Sequence, residues 1–321
     1  MKKIISIILC ALLIVGAFAG CSSNGNDSKK LGIVCTTFPV YDWVNNVLGD
    51  EKDNADVTML LDSGADLHNY QPTADDMIKV SSCDVFIYVG GESDSWVDDA
   101  LKNAKNKDMK VINLLDNLGD MAKEEEVVEG MQEEEEEGEE DETEYDEHVW
   151  LSVKNASYLA GRIAEVLGEA DSKNKAIYTK NADDYQNELD KLDEQYQQTV
   201  DSAKTKILLF GDRFPFRYLA DDYGIKYYAA FMGCSAETEA SFETVTYLAG
   251  KVDEFKLGNI MTIETGDGKI AKTIIENTKS KNQKILTLNS MQSTTAKDIQ
   301  AGVSYLGVMQ DNLEVLKTAL N

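Results

Sequence analysis

Histidine is almost missing from this chain: 321 residues contain two, His68 and His148. Basic residues are also few, 31 Lys and Arg against 58 Asp and Glu, for a formal net charge of −27. A phosphate backbone requires clustered Lys and Arg, so this balance excludes nucleic acid as the main partner. It equally excludes adsorption to an anionic membrane through a basic patch. The sequence has no G-x-S-x-G, H-E-x-x-H or phosphate-cradling glycine loop, which removes the usual marks of a nucleophilic or nucleotide-dependent enzyme. There is no CxxC pair, and beyond the N-terminus no apolar run long enough to span a bilayer.

What is present begins with a targeting segment at residues 1–20. Lys2 and Lys3 form a basic start, and Ile4 to Ala19 is apolar apart from Ser6 and Gly16. The segment ends Phe18-Ala19-Gly20-Cys21, which resembles a bacterial lipobox although Phe18 departs from its usual aliphatic residue. The resemblance implies that Cys21 is lipidated and becomes the first residue of a mature chain anchored outside the cytoplasmic membrane by lipid alone. Residues 21–30 contain no apolar side chain after Cys21 and read as a flexible tether. Cys35, Cys83 and Cys234 remain; an odd number without metal-type spacing favours buried thiols, with a Cys35–Cys83 bridge left open.

From Leu31 onward, short apolar runs alternate with helical stretches. Strands are expected at Leu31–Cys35, Asp56–Leu61, Asp84–Val89 and Lys110–Leu114, and again at Lys206–Phe210, Lys226–Phe231, Asn259–Glu264 and Lys284–Leu288. Alternation of this kind predicts an α/β fold of two similar lobes, each a mostly parallel sheet flanked by helices. Between them Tyr178, Ala182, Tyr185, Leu189, Leu192, Tyr196 and Val200 recur at helical spacing, one apolar face of a long connecting helix within residues 171–203. The expected organisation is an N-terminal lobe at 31–170, that helix, and a C-terminal lobe at 204–321. Ligands of open α/β sheets bind beyond the carboxyl ends of the strands, so the chemistry is expected in the cleft between lobes.

Both histidines stand where a loop meets an element. His68 lies in Gly64-Ala65-Asp66-Leu67-His68-Asn69-Tyr70-Gln71-Pro72, and His148 in Asp146-Glu147-His148-Val149-Trp150-Leu151. These segments resemble the two histidine motifs of the solute-binding components of zinc and manganese ABC transporters. Further matches are Gly90-Gly91-Glu92 with Trp96, Tyr218-Leu219-Ala220 with Tyr223-Gly224, Ser235 to Ser241, and Tyr305 to Leu313. The resemblance extends over nearly all of Leu31 to Asn321. It implies a lipid-anchored, monomeric, extracytoplasmic receptor that captures Zn2+ or Mn2+ between its lobes and delivers it to a membrane permease. His68 and His148 fall on ligand positions of that family, and neutral imidazole suits first-row divalent metals. Two imidazoles favour zinc; an oxygen-richer shell would favour manganese.

The resemblance also implies an acidic ligand after the strand at Asn259–Ile263, where Glu264 fits and Asp267 is the neighbouring alternative. One ligand position departs from the family pattern: Arg213, within Gly211-Asp212-Arg213-Phe214-Pro215-Phe216, cannot coordinate a cation. Either Asp212 replaces the lost ligand, or Arg213 pairs with Glu264 and the histidines hold the metal with water or another carboxylate.

Between Glu124 and Glu147 stand sixteen acidic residues and no Lys or Arg, so the rest of the chain carries only −11. Such a run is expected to stay unpacked. It is either a weak collector of cations beside His148 or a solvated insertion without a role. Two other functions remain open at this level, a metal-dependent hydrolase and an acidic surface adhesin or cation-buffering lipoprotein.

Overall fold

A computed structural model describes residues 30–132, 144–235 and 239–321. The expected leader, the expected lipidation site Cys21 and the expected tether fall outside these residues, as do positions 133–143 of the acidic run. No helix among the described residues is long and apolar enough to cross a membrane.

All eight expected strands form. The first sheet contains β1 (Leu31–Cys35), β2 (Ala55–Met59), β3 (Val85–Tyr88) and β4 (Lys110–Asn113), in the spatial order β2-β1-β3-β4 and wholly parallel. The second contains β5 (Ile207–Phe214), β6 (Lys226–Met232), β7 (Asn259–Ile263) and β8 (Lys284–Leu288), in the matching order β6-β5-β7-β8. Central strands covered on both faces are continuously apolar, and Ile33 to Cys35 and Val85 to Ile87 are buried accordingly. In each sheet the chain steps from the first strand to one neighbour and then crosses to the other. The loops leaving the two central strands therefore diverge and open a crevice.

Two antiparallel-adjacent helices, α5 (Val153–Ala170) and α6 (Lys175–Asp201), follow the shorter helices of the first lobe: α1 (Phe38–Leu48), α2 (Ala74–Ser82), α3 (Val97–Lys102) and α4 (Leu114–Leu118). The seven residues at helical spacing, Tyr178 to Val200, are all buried on one face of α6. The Tyr196 hydroxyl donates to the Met309 carbonyl at 2.6 Å, and its ring stacks on Tyr223. After α7 (Arg217–Tyr223), α8 (Phe242–Phe255), α9 (Lys269–Asn277) and α10 (Ala296–Gln300), the last helix α11 (Tyr305–Ala319) returns to the first lobe. There the Tyr305 amide donates to Asp42 at 3.2 Å, and its ring meets Trp43 edge-on. One apolar core consequently runs from Ile33 through α5 and α6 to Leu320, with a second, smaller core under α8 and α9.

One sequence expectation holds and one changes. Cys35 and Cys83 are separate buried thiols, as the odd cysteine count favoured, and no bridge joins them. The acidic run is not wholly unpacked: its two ends pair as a short ladder, with Glu124 opposite Tyr145, the Glu125 amide donating to Glu144 O at 2.9 Å and the Asp146 amide to Lys123 O at 2.8 Å. The stretch beyond it lies on the second lobe. Glu126 pairs with Arg217 at 3.4 Å, and the Gln132 amide donates to Ala230 O at 2.9 Å. Gly130, at φ 90°, sits where any Cβ would overlap the Tyr247 ring. Val128 and Met131 of this stretch pack against the apolar core.

Candidate metal centre

The first motif is a set of local constraints that aim one imidazole. Gly64 takes φ +82°, and a side chain there would press on the Ser293 carbonyl. Asp66 caps the short turn Leu67–Asn69 by accepting from the His68 amide at 3.2 Å, while Leu67 buries its side chain. Tyr70 donates to Asp76, the residue that closes the capping box of α2 with Thr73. His68 is thus held between an anchored leucine and a capped helix.

His148 is more strongly constrained. It is 0% exposed, and Asp146 accepts from both its backbone amide (2.8 Å) and its Nδ1 (2.9 Å). Burial disfavours the imidazolium, but the Asp146 carboxylate outweighs it and raises the His148 pKa. Trp150 fixes the following turn by donating to Ser290 O at 2.8 Å. Glu147 turns the other way, accepting from the Ser93 amide at 2.8 Å and standing 3.4 Å from His68 Nδ1. Burial opposes the ionised Glu147, yet His68 and Ser93 together hold its carboxyl below the ordinary value. Gly91, at φ +80°, leaves the space that this carboxylate fills.

Each Nδ1 is therefore occupied, His148 by Asp146 and His68 by Ser93 Oγ at 2.9 Å. That selects the tautomer with a lone pair on Nε2, the orientation that outer carboxylates give to metal-binding histidines. The two Nε2 atoms face one another at 3.2 Å. Two nitrogens on one tetrahedral zinc-sized ion stand about 3.3 Å apart, from metal–nitrogen distances of about 2.0–2.1 Å. Gln292 meets the same point, its amide nitrogen 2.6 Å from His148 Nε2 and 3.2 Å from His68 Nε2. Cys234 lies there too: its Sγ and one ring nitrogen of each histidine are all within 4.8 Å of one another. Burial, reinforced by Glu125, pushes its thiol well above the ordinary range.

The remaining expected residues are placed differently. Both Glu264 oxygens are engaged by Ser290, whose amide donates at 2.7 Å and whose hydroxyl donates at 2.8 Å. Glu264 is linked toward the imidazoles through the Ser290 hydroxyl, which stands 3.3 Å from Gln292 Oε1. Asp267 is exposed and paired with Lys269. Asp212 does not turn toward the histidines; it accepts from the amides of Arg213 (2.9 Å) and Ile263 (3.2 Å). Arg213 does not pair with Glu264. It donates to Asp66 at 2.7 Å and to the Ser235 carbonyl at 3.2 Å. Burial raises the Asp66 pKa, but the Arg213 guanidinium overrides that and holds the carboxyl below its usual value. Cys234 and Gln292 were missed because neither belongs to a chemical motif; only the meeting of the β6 and β8 loops brings them to the histidines.

Comparison with known proteins agrees with this architecture. The family model described as zinc-uptake complex component A, periplasmic, matches residues 33–319. The chain is similar to the zinc-binding lipoprotein AdcA of Streptococcus pneumoniae, 34% identical over 323 residues, spanning 99% of this chain but only 61% of that protein. It is also similar to the high-affinity zinc uptake system protein ZnuA of Bacillus subtilis, 29% identical over 321 residues, 98% of this chain and 96% of that one. Among solved structures, the Zn(II)-bound ZnuA-like domain of Streptococcus pneumoniae AdcA superposes with TM-score 0.70 at 30% identity, covering 91% of this chain and 99% of that domain. The chain belongs to the family of zinc-uptake complex component A proteins.

Proposed function

We propose that this protein is the extracytoplasmic receptor of an ABC transporter for zinc, capturing the ion at the crevice between its lobes and passing it to a membrane permease. His68 and His148 are the ligands, and Glu264 is a positioning residue that holds Ser290 and, through it, Gln292. Lipid attachment at Cys21 keeps a monomeric receptor at the membrane surface. The observation that carries this reading is the pair of Nε2 atoms at 3.2 Å, each presented by a hydrogen bond on the opposite ring nitrogen. The names of the relatives, AdcA and ZnuA, support zinc as the cargo.

The test is elemental analysis of protein purified without chelator, followed by competition titration with zinc and manganese. One tightly bound zinc per chain is expected. His68→Ala combined with His148→Ala should abolish the tight site while leaving weak binding to the acidic run. Undiminished affinity in that double variant would overturn the assignment.

A further inference from the structure

Two imidazoles leave a tetrahedral ion incomplete. Of the nearby acidic and thiol groups, Cys234 gathers with both imidazoles, whereas Glu125 gathers with Asp146 and His148 alone. Asp146 and Glu147 are turned to the Nδ1 atoms, Glu264 to Ser290, and Asp66 to Arg213. We infer that Cys234 is the third ligand, its thiolate completing a His2Cys set with His68 and His148. The inference rests on the zinc-receptor reading.

Three observations meet on this residue. The sulfur and both histidines already lie within 4.8 Å of one another. Coordination needs about 3.6 Å between sulfur and nitrogen, given metal–sulfur and metal–nitrogen distances of about 2.3 and 2.0 Å. One χ1 rotation moves a cysteine sulfur by on the order of 3 Å, more than the difference. Next, the backbone before it is pressed against the ligand ring: a Cβ at Gly233 would stand 3.0 Å from His148 Cε1 and 3.1 Å from its Nδ1. Finally, the segment after it is tied to the segment that carries His68. Arg213 donates at once to the Ser235 carbonyl and to Asp66, two residues before His68. Arg213 is thus a positioning residue that sets the spacing of two ligands without touching the ion. Formation of the metal–sulfur bond releases the thiol proton to solvent, and the ion gains an anionic, soft donor. Thiolate ligands favour zinc and discriminate against manganese, which prefers oxygen.

X-ray absorption on the zinc-loaded full chain tests the inference, with near-ultraviolet absorption of the cobalt-loaded chain beside it. The expected result is one sulfur neighbour at about 2.3 Å and a thiolate-to-cobalt charge-transfer band. Cys234→Ser should lose both signals and bind zinc about 100-fold more weakly or worse, since even outer partners of ligands cost 10–100-fold, while its manganese affinity changes much less. Bound zinc with only nitrogen and oxygen neighbours in the unaltered chain would overturn the inference and leave the receptor reading standing. A sulfur shell that persists in Cys234→Ser, coming from Cys35 or Cys83, would overturn it equally. Failure of the unaltered chain to bind zinc would instead overturn the receptor reading, and this inference with it. The spectrum of the unaltered chain is decisive even if the substitution impairs folding.

Discussion

In the proposed metal centre, the residues that present the imidazoles matter as much as the imidazoles. Asp146 holds one ring through two hydrogen bonds, and Gly233 gives that ring room. An alanine at Gly233 would set its methyl 3.0 Å from both His148 Cε1 and the Phe214 carbonyl, tighter than ordinary van der Waals contact. The backbone carbonyl cannot yield, so the ring must. Gly233→Ala is expected to weaken zinc binding by about 10–100-fold, as outer-partner changes do, while leaving the circular dichroism spectrum unchanged. Unaltered affinity would show that the ring tolerates displacement. At this scale the histidines were legible as candidate ligands through the two motifs that resemble those of metal-receptor proteins. Glu264 was expected as a ligand because the resemblance places an acidic ligand just after β7. Its sequence could not tell that Ser290, 26 positions away, would take both its oxygens. Cys234 and Gln292 gave no signal, since their role comes from the convergence of separate loops.

Elements were more legible than ligands, because periodicity is a local property. The apolar runs marked every strand, and the 4-and-3 spacing marked α6. The largest difference is β5, expected to end at Phe210 and found to continue to Phe214. Gly211 explains it: the backbone passes so close to α9 that a Cβ would lie 2.5 Å from Ala271 Cα, and the strand register shifts between Phe210 and Arg213 before pairing resumes. That irregularity delivers Arg213 to the crevice. A half-buried carboxyl, Asp42 on α1 facing the start of α11, gives a prediction at the same scale. Burial pushes the Asp42 pKa up to about 6, although the Tyr305 amide, Asn46 and Tyr185 pull it down. A pKa raised on folding favours the protonated form, so its contribution to stability is complete below about pH 4 and is lost as pH rises through 6. At pH 7 the ionised group costs about 1–3 kcal/mol at 1.36 kcal/mol per unit. Asp42→Asn keeps an acceptor for Tyr305 and should be the more stable protein at pH 7, with the advantage vanishing near pH 4. Urea midpoints measured from pH 4 to 8 check this; parallel profiles for the two proteins would refute it.

At the scale of the whole molecule, two four-stranded sheets with the same strand order face a shared crevice. They are joined by more than a hinge. One apolar core passes through α5 and α6, α11 packs back on α1, and Ser63 bridges to Thr295 where the β2 and β8 loops meet beside the histidines. Such continuity limits domain motion to small adjustments at the crevice. The charge distribution has a matching logic. Most of the net charge of −27 belongs to one acidic run, whose ends pair beside Asp146 and Glu147. Asp146, Glu125 and Glu147, which face His148, give its surroundings a negative field. The central claim is that both histidines bind one and the same ion, and the chain has only two to observe. Nitrogen-detected NMR of the ring resonances during titration with zinc tests it directly. Both Nε2 signals should shift together and saturate at one zinc per chain, with both Nδ1 sites remaining protonated. Movement of only one ring, or saturation of the two at different zinc ratios, would contradict it.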